Sequence, residues 1–157
     1  MIRNYRPWYT DMLFWSIFLI DMITKQLAVS FCSVPLVIIK NLLVFRLSFN
    51  RGISWGFFHS ENPFIFLILS ILIFLILCFL AKYTLDQQKI GKDIFGQLLV
   101  LAGGFANFTD RIRSGGVIDF IQLSYCNHYF PVFNVADVAI TLGVCIMLYS
   151  FLQSDDE

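Results

Sequence analysis

The sequence predicts an all-α integral membrane protein with four transmembrane helices and a small extramembrane β element between the first two. Its 157 residues are 58% hydrophobic and only 14% charged, whereas soluble domains average about a quarter charged. Four apolar stretches are long enough to cross a bilayer as helices. A short segment between the first two alternates apolar and polar residues, which is typical of a strand. The length predicts a single domain, residues 1–157.

The predicted spans cover residues 12–31, 62–81, 94–113 and 133–152. The second is the most apolar, since it contains no charged residue, whereas the third ends in a polar cluster. An even number of spans puts both termini on one side of the membrane. We expect that side to be cytoplasmic, because arginines precede the first span and a lysine-rich loop joins the second and third.

The predicted β element begins in residues 42–50, where Phe45, Leu47 and Phe49 alternate with polar residues. Residues 50–52 read Asn-Arg-Gly and supply turn chemistry, and residues 53–55 are predicted to return as a second strand. Residues 117–123, behind a Gly-Gly pair, are also rich in β-branched and apolar side chains. We therefore expect a small β element that sits on the helices.

Ionisable side chains within the apolar segments are the most informative feature, because a charge at mid-membrane costs about 2.5–3.5 kcal/mol even on permissive scales. In the first span Asp21 and Lys25 lie four residues apart, on one helix face. Since they can neutralise each other, we interpret them as a structural pair that faces the interior of the bundle. A direct part in chemistry is the less favoured alternative.

A second polar stripe, formed by Asn107, Asp110 and Arg111, ends the third span. Gly103 and Gly104 lie one turn before it, where the lack of side chains allows a neighbouring helix or a substrate backbone to approach closely. Helix packing explains the glycines alone, and a salt bridge between Asp110 and Arg111 is the structural alternative for the charges. An amide, a carboxylate and a guanidinium beside two glycines favour a functional site.

Asp119 and Asp137 flank the connection between the third and fourth spans. Because this connection is short, it brings both aspartates to the same face of the membrane. Asn134 and Asp137 are expected about one helical turn inside the membrane from its outer surface. Two adjacent carboxylates cannot both ionise cheaply, so one keeps its proton. An aspartic protease needs such a pair, one carboxylate to take a proton from water and one to donate a proton. Two unrelated buried acids are the structural alternative.

The remaining composition excludes several classes of site. Basic and acidic residues balance at 11 each, so no nucleic-acid partner is indicated. The cysteines are scattered without a CxxC pair, and no histidine stands at ligand spacing, so neither a metal nor another cofactor is expected. We interpret the cysteines as thiols, with a disulfide between Cys32 and Cys126 as the less favoured alternative.

Five motif blocks follow one another along the chain: DMITK at 21–25, NRG at 50–52, GGFANFTDR at 103–111, GVIDF at 116–120 and FNVAD at 133–137. Each block is weak alone, but their order and spacing together are specific. With them the chain resembles the bacterial lipoprotein signal peptidases (signal peptidase II) over essentially its whole length.

The resemblance implies an intramembrane aspartyl endopeptidase of the bacterial cytoplasmic membrane, with its active site near the outer face. Its substrates would be prolipoproteins with diacylglycerol on the lipobox cysteine, cut on the N-terminal side of that cysteine. By position, Asp119 and Asp137 match the catalytic dyad. Four polar residues match positions that line the site and orient the substrate or the dyad: Asn50, Asn107, Arg111 and Asn134. Gly103 matches a glycine that allows close approach, and Asp21 with Lys25 matches a supporting charged pair.

The β element resembles the β-cradle of that family, and we expect a monomer surrounded by membrane lipids. A small proton-coupled transporter or channel subunit is the alternative function, because intramembrane Asp, Lys and Arg also mark ion pathways. A transporter typically shows repeated halves or broken helices, and neither pattern is visible in the sequence. A purely structural membrane protein is a third option, which the five polar blocks disfavour.

Overall fold

The computed structural model describes residues 9–52, 62–126 and 128–154. Each of the four predicted spans corresponds to a helix, although the limits differ. The second helix, for example, continues past the predicted end at residue 81. In chain order the elements are α1 Tyr9–Phe31, β1 Leu36–Ile39, β2 Leu43–Asn50, α2 Pro63–Lys89, α3 Phe95–Ser114, β3 Val117–Tyr125, β4 His128–Tyr129 and α4 Val135–Ser154.

Helix α2 begins and runs as its sequence dictates. The Asn62 side chain caps it by accepting a hydrogen bond from the backbone N–H of Phe64, and Pro63 occupies the first turn, where its missing N–H has no intrahelical partner to lose. Most of its apolar side chains are exposed, which suits contact with lipid. Within the described ranges three helices, α1, α2 and α4, are long and apolar enough to cross a membrane.

Helix α3 is less apolar than these three helices, and it packs against each of them. Its small residues allow this close packing. A Cβ added at Gly103 would lie 2.5 Å from the carbonyl oxygen of Ala136 in α4, and one added at Gly96 would lie 2.9 Å from that of Gly143. The small and polar residues that let α3 occupy the centre of the bundle also lower its hydropathy.

The strands form one antiparallel sheet in the order β1-β2-β3-β4. The predicted strand at 42–50 is confirmed as β2, and the β-rich stretch at 117–123 lies within β3. The expected position between the first two helices holds for β1 and β2, whereas β3 and β4 come from the connection between α3 and α4. Strand β1 was not predicted, and the proposed return strand at 53–55 lies outside the described residues.

Packing and pairing hold the sheet against the helices. Phe120 of β3 packs with Ala28 and Cys32 at the end of α1. Phe133 exchanges backbone hydrogen bonds with Ile121 of β3, at 2.8 and 2.9 Å. Helix α4 therefore starts two residues later than the predicted start at 133, because Phe133 is bonded to the sheet. The four cysteines all lie in the described ranges and are free thiols.

Candidate active site

A cavity of about 530 Å³ lies between α2, α3, α4 and the sheet. Most of its lining is apolar, from residues such as Leu77, Val100 and Ile140. Its polar lining residues come mainly from the predicted set, namely Asn50, Asn107, Arg111, Asp119 and Asp137. A mostly apolar cavity with a few convergent polar groups is the usual form of a small-molecule or peptide site.

Asp119 is placed by the register of the sheet. It lies opposite Ser48 of β2 and is only 2% exposed. The Asn134 amide donates to Asp119 Oδ1 at 2.6 Å, and the Asn50 amide donates to Oδ2 at 3.2 Å. Burial, together with the negative charge of Asp137, raises the pKa of Asp119 to about 7. Near neutral pH this carboxyl group can therefore either hold or release a proton.

Asp137 lies in the first turn of α4, in a reciprocal cap with Asn134. The Asp137 N–H donates to Asn134 Oδ1 at 2.9 Å, and the Asn134 N–H donates to Asp137 Oδ2 at 3.3 Å. Asn107 donates from Nδ2 to Asp137 Oδ1 at 2.8 Å. Asn134 was expected within the fourth helix, whose predicted start was residue 133, but it precedes the helix as its cap. The buried Asn134 thus donates to the Asp119 carboxylate from its side chain and to the Asp137 carboxylate from its backbone N–H.

Arg111 points toward the turn that follows β2. Its Nη2 donates to the carbonyl oxygen of Gly52, whose own N–H donates to Asn50 Oδ1 at 2.9 Å. Its guanidinium carbon lies 5.5 Å from the ring centroid of Phe66, a cation–π contact that the sequence did not reveal. Nη1 is buried and has no hydrogen-bond partner among the described residues. Arg111 itself lines the polar end of the cavity.

The rest of the polar stripe of α3 faces α1. The Lys25 ammonium lies 2.6 Å from Asp21 Oδ2, so the ion pair indicated by their spacing forms in the interior. The same ammonium lies 2.7 Å from Asp110 Oδ2 and donates to Asn107 Oδ1 at 2.7 Å. Asp110 thus pairs with Lys25 and not with Arg111. Spacing along one helix could not reveal this, because it carries no information about which helices face each other.

The lining of the cavity offers amides, one guanidinium and two carboxylates. Across the described residues, no three His, Cys, Asp or Glu side chains are grouped so that they could hold a metal ion. A carboxylate pair held by amide donors can exchange protons with a bound water and with a peptide bond. Asp21, Lys25 and Gly103, in contrast, do not line the cavity, and neither does Asn134, which was expected to line it but lies behind the two aspartates.

The fold is that of a known class of bacterial membrane enzyme. One solved structure, a bacterial membrane enzyme determined by the in meso method at 2.3 Å resolution, superposes with a TM-score of 0.78 at 27% identity, covering 99% of this chain and 94% of that one. A second bacterial membrane enzyme, determined by the same method at 1.9 Å, gives a TM-score of 0.73 at 28% identity and covers 97% of each chain.

Sequence comparison identifies the family within that class. The profile described as signal peptidase (SPase) II matches residues 13–153. The lipoprotein signal peptidase of Anoxybacillus flavithermus is 34% identical over 142 residues, 87% of this chain and 82% of its own length. That of Listeria monocytogenes is 34% identical over 139 residues, 85% of this chain and 87% of its own. The chain belongs to the signal peptidase II family, and it is a multi-pass bacterial membrane peptidase.

Proposed function

We propose that this protein is an intramembrane aspartyl endopeptidase that removes signal peptides from prolipoproteins carrying diacylglycerol on the lipobox cysteine. It cuts the peptide bond on the N-terminal side of that cysteine. The observation that carries the proposal is the contact of Asn134 with both Asp119 and Asp137 at the polar end of an apolar cavity. Family membership supports the same reaction.

In the proposed mechanism Asp119 starts protonated and Asp137 starts ionised. The pKa of Asp119, about 7, supports the first assignment. The position of Asp137 in the first turn of α4 supports the second, because the N-terminus of a helix favours a negative charge. Asp137 takes a proton from water as the oxygen attacks the scissile carbonyl, and Asp119 donates its proton to the carbonyl oxygen.

The resulting tetrahedral diol then collapses. The carbon–nitrogen bond breaks, Asp137 donates its new proton to the leaving amine, and Asp119 recovers a proton from one hydroxyl group of the diol. Both carboxyl groups return to their starting states, so no cofactor is required. The buried Nη1 of Arg111 suits a substrate carbonyl, because an unpaired buried donor is costly until an acceptor arrives.

We further propose that α3 is the fourth membrane span and that the whole chain acts as one membrane-embedded peptidase domain. The contacts of α3 with all three other helices support this, because they shield its polar end from lipid. In this arrangement both termini are cytoplasmic, and the site lies near the outer face, where the substrate cysteine can keep its acyl chains in the bilayer. The enzyme acts as a monomer among membrane lipids.

Membership of a peptidase family does not support the alternative of a proton-coupled transporter or channel subunit. The buried charges that suggested it are paired, since Lys25 contacts Asp21 and Asp110. Paired interior charges serve structure or positioning as readily as ion conduction.

A cleavage assay tests the proposed function. Purified protein in lipid or detergent is incubated with a diacylglyceryl-modified prolipoprotein, and the product is identified by mass. We expect a mature fragment that begins at the modified cysteine. The same precursor without diacylglycerol is the substrate control, and we expect it to remain intact. Equal cleavage of both precursors would contradict the substrate class, and cleavage of neither would contradict the peptidase function.

A further inference from the structure

Lys25 and the three side chains that contact its ammonium group, Asp21, Asp110 and Asn107, form a buried set that we call the Lys25 cluster. The three contact distances are 2.6, 2.7 and 2.7 Å. Lys25 is 1% exposed and Asp21 is fully buried. The ammonium donates a hydrogen bond to Asn107 and forms ion pairs with the two carboxylates. A simple ion pair within α1 would need only Asp21.

Two members of the Lys25 cluster extend to the start of α4. Asn107 accepts from Lys25 through Oδ1 and donates from Nδ2 to Asp137 Oδ1 at 2.8 Å. The bond from the ammonium, with a longer one from Asn134 Nδ2 at 3.2 Å, fixes which way the Asn107 amide faces, and so which atom meets Asp137. Asp21 Oδ1 accepts from the backbone N–H of Ala136, the residue before Asp137, at 2.7 Å. Side chain and backbone of the first turn are thus both tied to Lys25.

The third member of the cluster extends to β3. Asp110 Oδ2 lies 2.7 Å from the Lys25 ammonium and also accepts from the backbone N–H of Ile118 at 3.2 Å. Ile118 directly precedes Asp119 in the strand. The same ammonium is therefore linked to both aspartates of the cavity, to Asp137 through Asn107 and to Asp119 through Asp110 and the backbone of Ile118.

We infer that Lys25 is a positioning residue that sets the separation of Asp119 and Asp137, an inference that rests on the proposed function. None of the described residues of α1 lines the cavity, so Lys25 acts on the reaction without contact to substrate. A carboxylate displaced by about 1 Å can lower a rate by about 100-fold. Helix α1 thereby contributes to catalysis by positioning the two aspartates.

The decisive experiment must separate positioning from folding. Lys25→Met alone leaves Asp21 and Asp110 as uncompensated buried charges, which endangers the fold. The test variant therefore combines Lys25→Met with Asp21→Asn and Asp110→Asn, which removes all three charges and preserves shape. The matched control is Lys89→Met with Asp86→Asn, which removes an exposed ion pair of α2 in the same way.

Thermal unfolding, kcat and KM are measured for both variants on the lipid-modified precursor. We expect the neutral cluster variant to stay folded with KM unchanged and kcat lowered by about 10- to 100-fold, while the control keeps both constants. A purely structural role predicts wild-type kcat in the folded variant, and that result overturns the inference. The wild-type protein is assayed first on the same precursor. If it does not cleave, the proposed function fails, whereas the inference about Lys25 is tested only by the comparison of variants with an active wild type.

A second variant decides the case if the neutral cluster variant does not fold. Asp110→Asn leaves Lys25 balanced by Asp21 and removes the carboxylate of α3 that links the ammonium to the Ile118 N–H of β3. We expect a folded protein with KM unchanged and kcat lowered by about tenfold. Wild-type kcat in this variant overturns the inference.

Discussion

Helices α2 and α3 are neighbours in sequence and in space, and they place their side chains in opposite ways. In α2 only 6% of the most apolar stretch is buried, and most of the large side chains it exposes are Phe, Ile and Leu. In α3 the buried residues include glycines and alanines together with Asp110 and Arg111. A bilayer solvates apolar side chains, so burial in this protein is reserved for close packing and for polar groups that need partners.

This contrast implies that sensitivity to substitution follows polarity. Changes at the buried polar end of α3, and at the residues it contacts, should be severe. Substitutions on the outward face of α2 should be tolerated, because the exposed side chains there have few packing partners to lose. The four predictions below pair each sensitive position with a control in α2.

The largest effect is expected at the two aspartates. Asp119→Asn and Asp137→Asn should each lower cleavage by about 1,000-fold or more, because an amide cannot exchange the proton that the mechanism requires. Both variants should remain folded, since the amide preserves shape. The matched control is Asp86→Asn in α2, whose side chain is 52% exposed. Cleavage is measured under single-turnover conditions, and substantial activity in either aspartate variant would contradict the dyad.

Arg111→Lys should lower kcat/KM by about 10- to 100-fold. Lysine lacks the planar fork that lets Arg111 bind the Gly52 carbonyl through Nη2 and keep Nη1 for a substrate acceptor. It would also weaken the contact with Phe66. Lys89→Arg, an exposed change in α2, is the control and should have no effect. If Arg111→Lys cleaves at the wild-type rate, the guanidinium has no role beyond its positive charge.

The pH dependence should follow the proton on Asp119. Its pKa is raised to about 7, so the carboxyl group is protonated below that pH and ionised above it. If Asp119 must donate a proton, the rate falls as pH rises, by about tenfold for each unit above about 7. Rates are measured across this range with wild type and with Asp86→Asn, which should show the same profile. A rate that keeps rising through pH 9 would contradict the role of Asp119 as the acid.

The smallest effect concerns packing. Gly103→Ala places a Cβ 2.5 Å from the carbonyl oxygen of Ala136 and 2.9 Å from Ile140 Cγ1, so α3 and α4 must separate slightly. We expect a loss of about 1–3 kcal/mol in the free energy of unfolding. Leu75→Ala in α2 is the control, because Leu75 is 58% exposed and should change stability by about 0.5 kcal/mol or less. Equal unfolding temperatures for the two variants would contradict the close approach.

Much of the fold and of the candidate site was predictable from local patterns. Apolar runs identified the four helices, and alternation identified β2, because each depends on residues near one another in sequence. The ion pair between Asp21 and Lys25 followed from their spacing on one helix. The predicted start of α4 was two residues too early. Phe133 is hydrogen-bonded to β3, and the local sequence pattern does not show which strand a residue pairs with.

What the sequence by itself determined is therefore the set of elements and the short list of polar residues that a membrane protein would not keep without use. Only the tertiary structure decided how those residues pair. It joined Asp110 and Asn107 to Lys25, turned Arg111 toward Gly52, and placed Asn134 between Asp119 and Asp137. The physical reason is that a hydrogen bond between elements depends on how helices rotate and on the register of the sheet, and the spacing of residues along one element specifies neither.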